Sequence, residues 1–464
     1  MISQESVIFV EFNELSPVLV EQYIREGQLP NFRRLYEESH VYTTDAGEQA
    51  PYLNPWIQWV TVHTGLTYTE HQIFHLGEAH KLKVKRTWDM VSDAGMPVWV
   101  CGTMNSYHVS KLNGYFLPDP WATEIAPQPE SLDPYFRFVR MNVLEHSNDH
   151  VPLVWRDYAK FFGFMTTHGL SGSTVRAGMR QVLSERNGRN RWKRAVILDK
   201  LQFDMFRSVY RKIKPRLSTF FSNSTAHFQH YYWRHMNPQA FAIKPTSQEL
   251  EEYKTAILVG YQEMDKLLGA FLELAGDHAT MVFCTALSQQ PCLIYEDQGG
   301  KVVYRPNDFE ALLNLAGVTR PHSVAPVMAE EFHVRFEKEA DAADAAERLR
   351  ALSVGQHSAL RVEVRDAGIF AGCAFKTQLP QEATLCLKGS DRAVPFFDIF
   401  YRLYDTLKSG MHHPDGILWI RKADRSHRVH GAKVSLTSIA PTILDLLSVP
   451  RAEFMRGLPL PLAA

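Results

Sequence analysis

The sequence predicts an α/β protein built on a mixed, mostly parallel sheet with helices on both faces, carrying a helical cap insertion and a small α+β insertion. Three observations predict it. Short apolar, β-favouring runs at residues 7–12, 97–101, 279–285 and 416–420 break off into polar residues or glycine, as buried parallel strands do. Helical apolar periodicity separates them, at residues 17–38, 51–65, 249–274 and 436–447. Finally, the strand signal vanishes across residues 127–216, and a smaller strand-and-helix pattern occupies residues 330–390.

Each element has a local reason. Residues 7–14 read as a buried strand whose tip carries Glu11, Asn13 and Glu14, with alternation placing Glu11 and Asn13 on one face. In open α/β sheets ligands sit beyond the carboxyl ends of the strands, so that tip is a candidate site. Residues 17–38 form two helices, broken between Gly27 and Pro30. Residues 51–65 form a loop and then a buried helix, with Pro55 at a first helical position and Gly65 at its end. A helix at residues 88–92 closes at Gly95 and leads into the strand at residues 97–101. Residues 127–216, rich in aromatic and basic side chains such as Arg189, Arg191 and Arg194, read as a helical cap whose basic side is a solvated face or a receiver of an anion. Strand character returns at residues 217–221 and delivers Asn223, His227, His230 and His235. One long helix is expected over residues 249–274, and another over 396–408. Thr437 or Ser438 is the expected cap of the last helix. The division that follows is core at 1–126, 217–300 and 395–464, helical cap at 127–216, and α+β insertion at 301–394.

Composition excludes several classes of function. The 464 residues are 45% hydrophobic, and Lys+Arg 50 against Asp+Glu 51 gives a net charge of -1. Such a balance provides no global field for nucleic acid, and no nucleic-acid partner is expected. No apolar run is long enough to span a bilayer, and residues 1–6 carry no basic stretch ahead of an apolar one, so a cytoplasmic protein is expected. The five cysteines are scattered without C-x-x-C spacing, which argues against a disulfide framework or a structural zinc site. Composition leaves the oligomeric state open.

Several stretches, in order, resemble the alkaline phosphatase superfamily, in particular its type I phosphodiesterase and nucleotide pyrophosphatase branch. They are the opening strand with Leu29, Pro30, Asn31 and Phe32, the Trp-containing helix closing in Thr64 and Gly65, and His71 to Phe74. Further on, His230 to Arg234 resembles the family's H-x-x-W-R segment, and Gly410 to Gly416 its G-x-H-x-x-x-G segment. Ile439, Ala440, Pro441 and Thr442, with Gly457 and Pro459, resemble its closing helix and end. The resemblance implies a phosphoryl-transfer fold in which two divalent metals activate a Ser or Thr nucleophile. The sequence departs from that set. Asn13 stands at the position of a metal-binding Asp, Pro55 or Asn54 at the nucleophile, Ala226 at a second metal Asp, and Thr285, Ala286, Leu287 and Ser288 where the family has S-D-H-G. Of the aligned ligands only His230 and His412 remain.

What is left suggests one metal rather than two. His227, His230 and His412, with Glu11 or Glu14 and with Asn13 beside them, form a candidate ligand set for a single zinc, manganese or iron ion. Glu14, or Glu11, is a candidate general base, and Asn54 at a helix start a candidate substrate contact through its amide and the free N–H groups there. Ser288 and Gln289, at the place of the lost Asp-His pair, are candidate substrate-binding residues, whereas His427 and His430 read as surface residues. The first functional expectation is therefore an atypical hydrolase or transferase acting on a small anionic ester, a phosphate or phosphodiester, nucleotide- or sugar-linked. A catalytically dead member without cofactor, binding a phosphorylated ligand or protein, and a different group transfer on the same fold stand as alternatives.

Overall fold

A computed structural model describes residues 5–122, 124–145, 154–186, 189–326, 331–390, 392–403 and 406–462. Its central sheet contains β1 (Ser6–Phe12), β2 (His40–Asp45), β3 (Val98–Cys101), β4 (Gly114–Leu117), β5 (Leu217–Ser222) and β6 (Ala279–Cys284). Two further strands, β7 (Ser288–Pro291) and β8 (Gly410–His413), pair antiparallel beside it, and β9 (Asp415–Arg421) returns into it. The order across the sheet is Arg428–Val429, β2, β9, β6, β1, β5, β3, β4, with Val434–Ser435 also paired to β2. Every pairing is parallel except those of β9 with β2 and β6.

β1 lies between two parallel neighbours, Phe12 level with Ser222 of β5 and Glu11 level with Cys284 of β6. The carboxyl ends of β1, β5 and β6 therefore open at one edge. Alternation along β1 sends Ile8, Val10 and Phe12 into one core and Val7 and Phe9 into the other, so helices cover both faces. Four cap helices, Asp133–Glu145, Trp155–Thr167, Gly172–Ser184 and Arg194–Ile213, follow β4. The α+β insertion has its own core, with Phe332, Leu349 and Ile369 fully buried.

Several expectations need correction. Residues 249–274 are two helices, Ser247–Tyr253 and Ala256–Ala275, because the first buries no side chain and has its own Thr246–Glu249 capping box. Residues 396–408 are not one helix: after Phe396–Ile399 the chain extends as Phe400–Arg402 and pairs with Tyr304–Pro306, while Phe396 and Phe400 stack. The last helix, Ile439–Leu446, has Ser438 at its N-cap position, as expected, but with no side-chain cap bond; the 3-10 turn before it is capped by Ser435, whose hydroxyl accepts from Thr437 N. β2, β4, β7 and β8 carry no run of apolar residues long enough to announce themselves. No helix among the described residues is long and apolar enough to cross a membrane.

Candidate functional site

The site begins where β1 ends. Asn13 N donates to Ser222 O and Glu14 N to Thr285 O, tying the tip of β1 to the ends of both neighbours. Glu14 then turns with φ 61, a left-handed conformation that costs a non-glycine residue about 1 kcal/mol or more. That turn carries its side chain out of the strand alternation. Gln229, from the Ser224–Met236 helix, holds the turn by donating to Glu14 O at 2.8 Å, and Tyr261 donates in turn to Gln229 Oε1.

The Glu14 carboxylate meets two imidazoles. Its Oε2 lies 3.2 Å from His230 Nε2 and 3.5 Å from His412 Nε2. His412 Nδ1 is 2.8 Å from Leu53 O, and His230 Nδ1 lies 3.5 Å from Gly410 O. In the tautomer whose Nδ1 protons go to those carbonyls, both Nε2 lone pairs face the carboxylate oxygen, and the three donor atoms can hold a cation among them. Donor atoms of Glu14, His230 and His412 all lie within 4.8 Å of one another. Their spacing fits a metal, since donors about 2.05 Å from a tetrahedral zinc ion stand about 3.3 Å apart. Burial and the positive charge of Lys408 push His230 down to about 4, against the opposing pull of Glu14, which keeps the imidazole neutral and able to ligate at pH 7. Burial raises Glu14, but His412 and His230 outweigh it and hold the carboxyl well below its ordinary value.

The other sequence candidates divide by what they touch. Asn13 is a positioning residue: it donates to Glu14 Oε1 at 2.8 Å and to Asn223 Oδ1 at 2.7 Å, and accepts from Trp59 Nε1. An Asp there would set a second anion against Glu14. Gln289, cross-strand partner of His412, donates to Glu14 Oε2 at 2.5 Å and to Ala226 O. Ser288 is buried opposite His413, one residue away from the trio. Glu11 shares a face with Asn13 as expected, but that face is the wrong one for the trio. It is sealed at 0% exposure, 3.0 Å from His63 Nε2 and accepting from Thr103 Oγ1. His227 lines the cleft beside Tyr231 and stands outside the trio. Asn54 adjoins the trio through Leu53, but its amide donates to Pro51 O. The helix start there offers few donors, because Pro55 has no N–H and the Ile57 and Gln58 N–H groups go to Asn54 O. His430 stacks on Tyr42 in a separate region. Sequence reasoning missed Gln229 and the carbonyls of Leu53 and Gly410, for which no short-range signal exists.

Gly410 makes the trio possible. A Cβ there would lie 2.3 Å from Gln229 O and 2.5 Å from Gln289 Oε1. Gly410→Ala is therefore expected to push β8 and His412 away, lowering bound metal several-fold with every ligand still present, at a stability cost of about 1–3 kcal/mol; elemental analysis and thermal unfolding check both.

A second acid lines the same cleft. Asp199, from the cap helix Arg194–Ile213, accepts from Ser222 Oγ at 2.9 Å and from Ser224 Oγ, and burial pushes its carboxyl up to about 6. A raised carboxyl favours the protonated form when folded, so stability falls as pH rises from the unfolded value through the folded one. Asp199→Asn is expected to be more stable than the native chain at pH 8 by up to about 3 kcal/mol, the gain shrinking below pH 6 and gone near pH 4; urea unfolding across pH measures it.

Neither a protein-family model nor a curated protein matches the sequence. Among solved structures the chain is similar to phosphonoacetate hydrolase from Sinorhizobium meliloti, at 12% identity and TM-score 0.44 over 96% of each chain. It is also similar to alkaline phosphatase PafA, at 11% identity and TM-score 0.47 over 98% of each chain. Human ectonucleotide pyrophosphatase/phosphodiesterase 5 matches at 11% identity and TM-score 0.39, over 97% of this chain and 96% of that one.

Proposed function

We propose that the chain is an enzyme acting on a small anionic ester, a phosphate or phosphodiester, through at most one metal ion held by Glu14, His230 and His412. One observation carries this reading: two imidazoles, each with Nδ1 toward a backbone carbonyl, face a single buried carboxylate oxygen. Two histidines and one carboxylate leave coordination positions open, as catalytic zinc, manganese or iron sites require. When bound, the ion would polarise the ester oxygen and acidify a water. The protein's own part is to orient. Asn13 and Gln289 fix the Glu14 carboxylate, Leu53 O and Gly410 O fix the imidazoles, and Lys408 adds positive charge beside His230. Water or a substrate hydroxyl attacks, because Asn54 and Pro55 at the adjoining helix start provide no nucleophile.

The test is turnover of p-nitrophenyl phosphate and bis(p-nitrophenyl) phosphate by protein loaded with zinc, manganese or iron. Metal-dependent release of p-nitrophenol, lowered at least a hundredfold in His412→Ala, supports the reading. Absence of turnover with a loaded metal would place the chain with the catalytically inactive alternatives.

A further inference from the structure

The trio lines a single continuous cleft of about 2530 Å³. That volume far exceeds the several hundred Å³ that suit a small ligand. Its lining changes character along its length. Around the trio it is polar, with Asn223, His227, His230 and Lys408; between the cap helices it is mostly apolar, with Phe138, Phe161, Met179, Val182, Leu183 and Leu198 beside the paired Glu185 and Arg194.

Apolar exposure is concentrated on the same helices. Phe162 is 52% exposed, Met179 64% and Val182 70%, on Trp155–Thr167 and Gly172–Ser184. Single exposed apolar residues are ordinary, but a set of them lining one cleft marks a binding surface. Arg189 pairs with Glu251 outside the cleft, and Arg194, which lines it, is paired with Glu185, so the charge of that arginine is matched within the lining.

We infer that the substrate is an amphiphile: an anionic phosphate head at Glu14, His230, His412 and Lys408, with a hydrocarbon chain running into the apolar compartment between Trp155–Thr167, Gly172–Ser184 and Arg194–Ile213. The inference rests on the proposed function for its head and on the cap alone for its tail. Charge complementarity and continuity fix the occupant: a purely apolar ligand would leave the polar end unused, and a short ester would leave most of the cleft wet. Burying each methylene tightens binding by up to about fourfold.

The experiment measures binding of butyl, hexyl and octyl phosphate, each below its micellar concentration, by calorimetry on the full-length metal-loaded protein. Octyl phosphate is expected to bind at least tenfold more tightly than butyl phosphate. Met179→Asp and Val182→Asp, at exposed positions that leave folding intact, should each reduce that ratio at least threefold, whereas His230→Ala weakens both ligands. A flat dependence on chain length overturns the inference, and so does self-association that buries Phe162 and Met179 without any such dependence. Octyl glucoside binding as tightly as octyl phosphate, with His230→Ala without effect, overturns the proposed function instead, because the head would then not be recognised.

Discussion

Glu14→Gln is expected to cut bound metal at least tenfold and turnover of any phosphate ester at least a hundredfold. Glu14 is the only carboxylate in the trio and lies 2% exposed, so no water and no other acid replaces it. Glutamine has almost the same shape, yet its amide is a poor ligand. It also turns one of two satisfied contacts, that from Asn13 Nδ2 or that from Gln289 Nε2, into a donor facing a donor. A tenfold loss of affinity corresponds to about 1.4 kcal/mol, well within what one ligand contributes. Glu14→Gly separates ligation from strain. It removes the carboxylate and also the cost of φ 61, so it should lose metal as completely as Glu14→Gln. Elemental analysis and circular dichroism of both variants make the comparison, and metal retained by either one contradicts the role given to Glu14.

The largest expected effect on stability lies away from the site. Asp265, 3% exposed on the Ala256–Ala275 helix, reaches across to the start of the Pro30–Glu37 helix. Its Oδ1 accepts from Asn31 N at 2.9 Å and Phe32 N at 2.8 Å, and its Oδ2 accepts from Asn31 Nδ2 at 2.9 Å. Leu29, at the N-cap position, has no side-chain cap of its own. Asp265 therefore caps that helix from another helix and places a negative charge at its N-terminus. Asp265→Ala leaves the buried Phe32 N–H and the part-buried Asn31 N–H without an acceptor, a cost of about 2–4 kcal/mol. Asp265→Asn keeps one oxygen and should cost roughly half. Equilibrium urea unfolding distinguishes them, and an Asp265→Ala chain as stable as the native one would show that these contacts add nothing.

Much of the fold was legible in the sequence because its strands are buried on both faces and read as unbroken apolar runs. β1 and β6 are the clearest cases. β2, β7 and β8 were not legible, since Thr, Gln and His residues there are held by their partners rather than by apolar burial. The site was legible in part. His230 and His412 carry family-like motifs, and Glu14 stands at a strand tip, so each was a candidate. Which acid faces the histidines was not, because period-two alternation assigns Glu11 and Asn13 to one face and cannot foresee that a left-handed turn swings Glu14 toward the other two. The apolar compartment of the cap was also hidden: helical periodicity shows that a face is apolar, and only the packing of four helices shows that the face lines a cleft.

The central claim is that Glu14, His230 and His412 hold one metal ion. Elemental analysis of the full-length protein, purified without chelators after expression in medium supplemented with zinc, manganese and iron, tests it most directly. One equivalent of a single transition metal, lost in both His230→Ala and His412→Ala with the fold intact, is the predicted result; less than about a tenth of an equivalent of every transition metal in the native protein would contradict it.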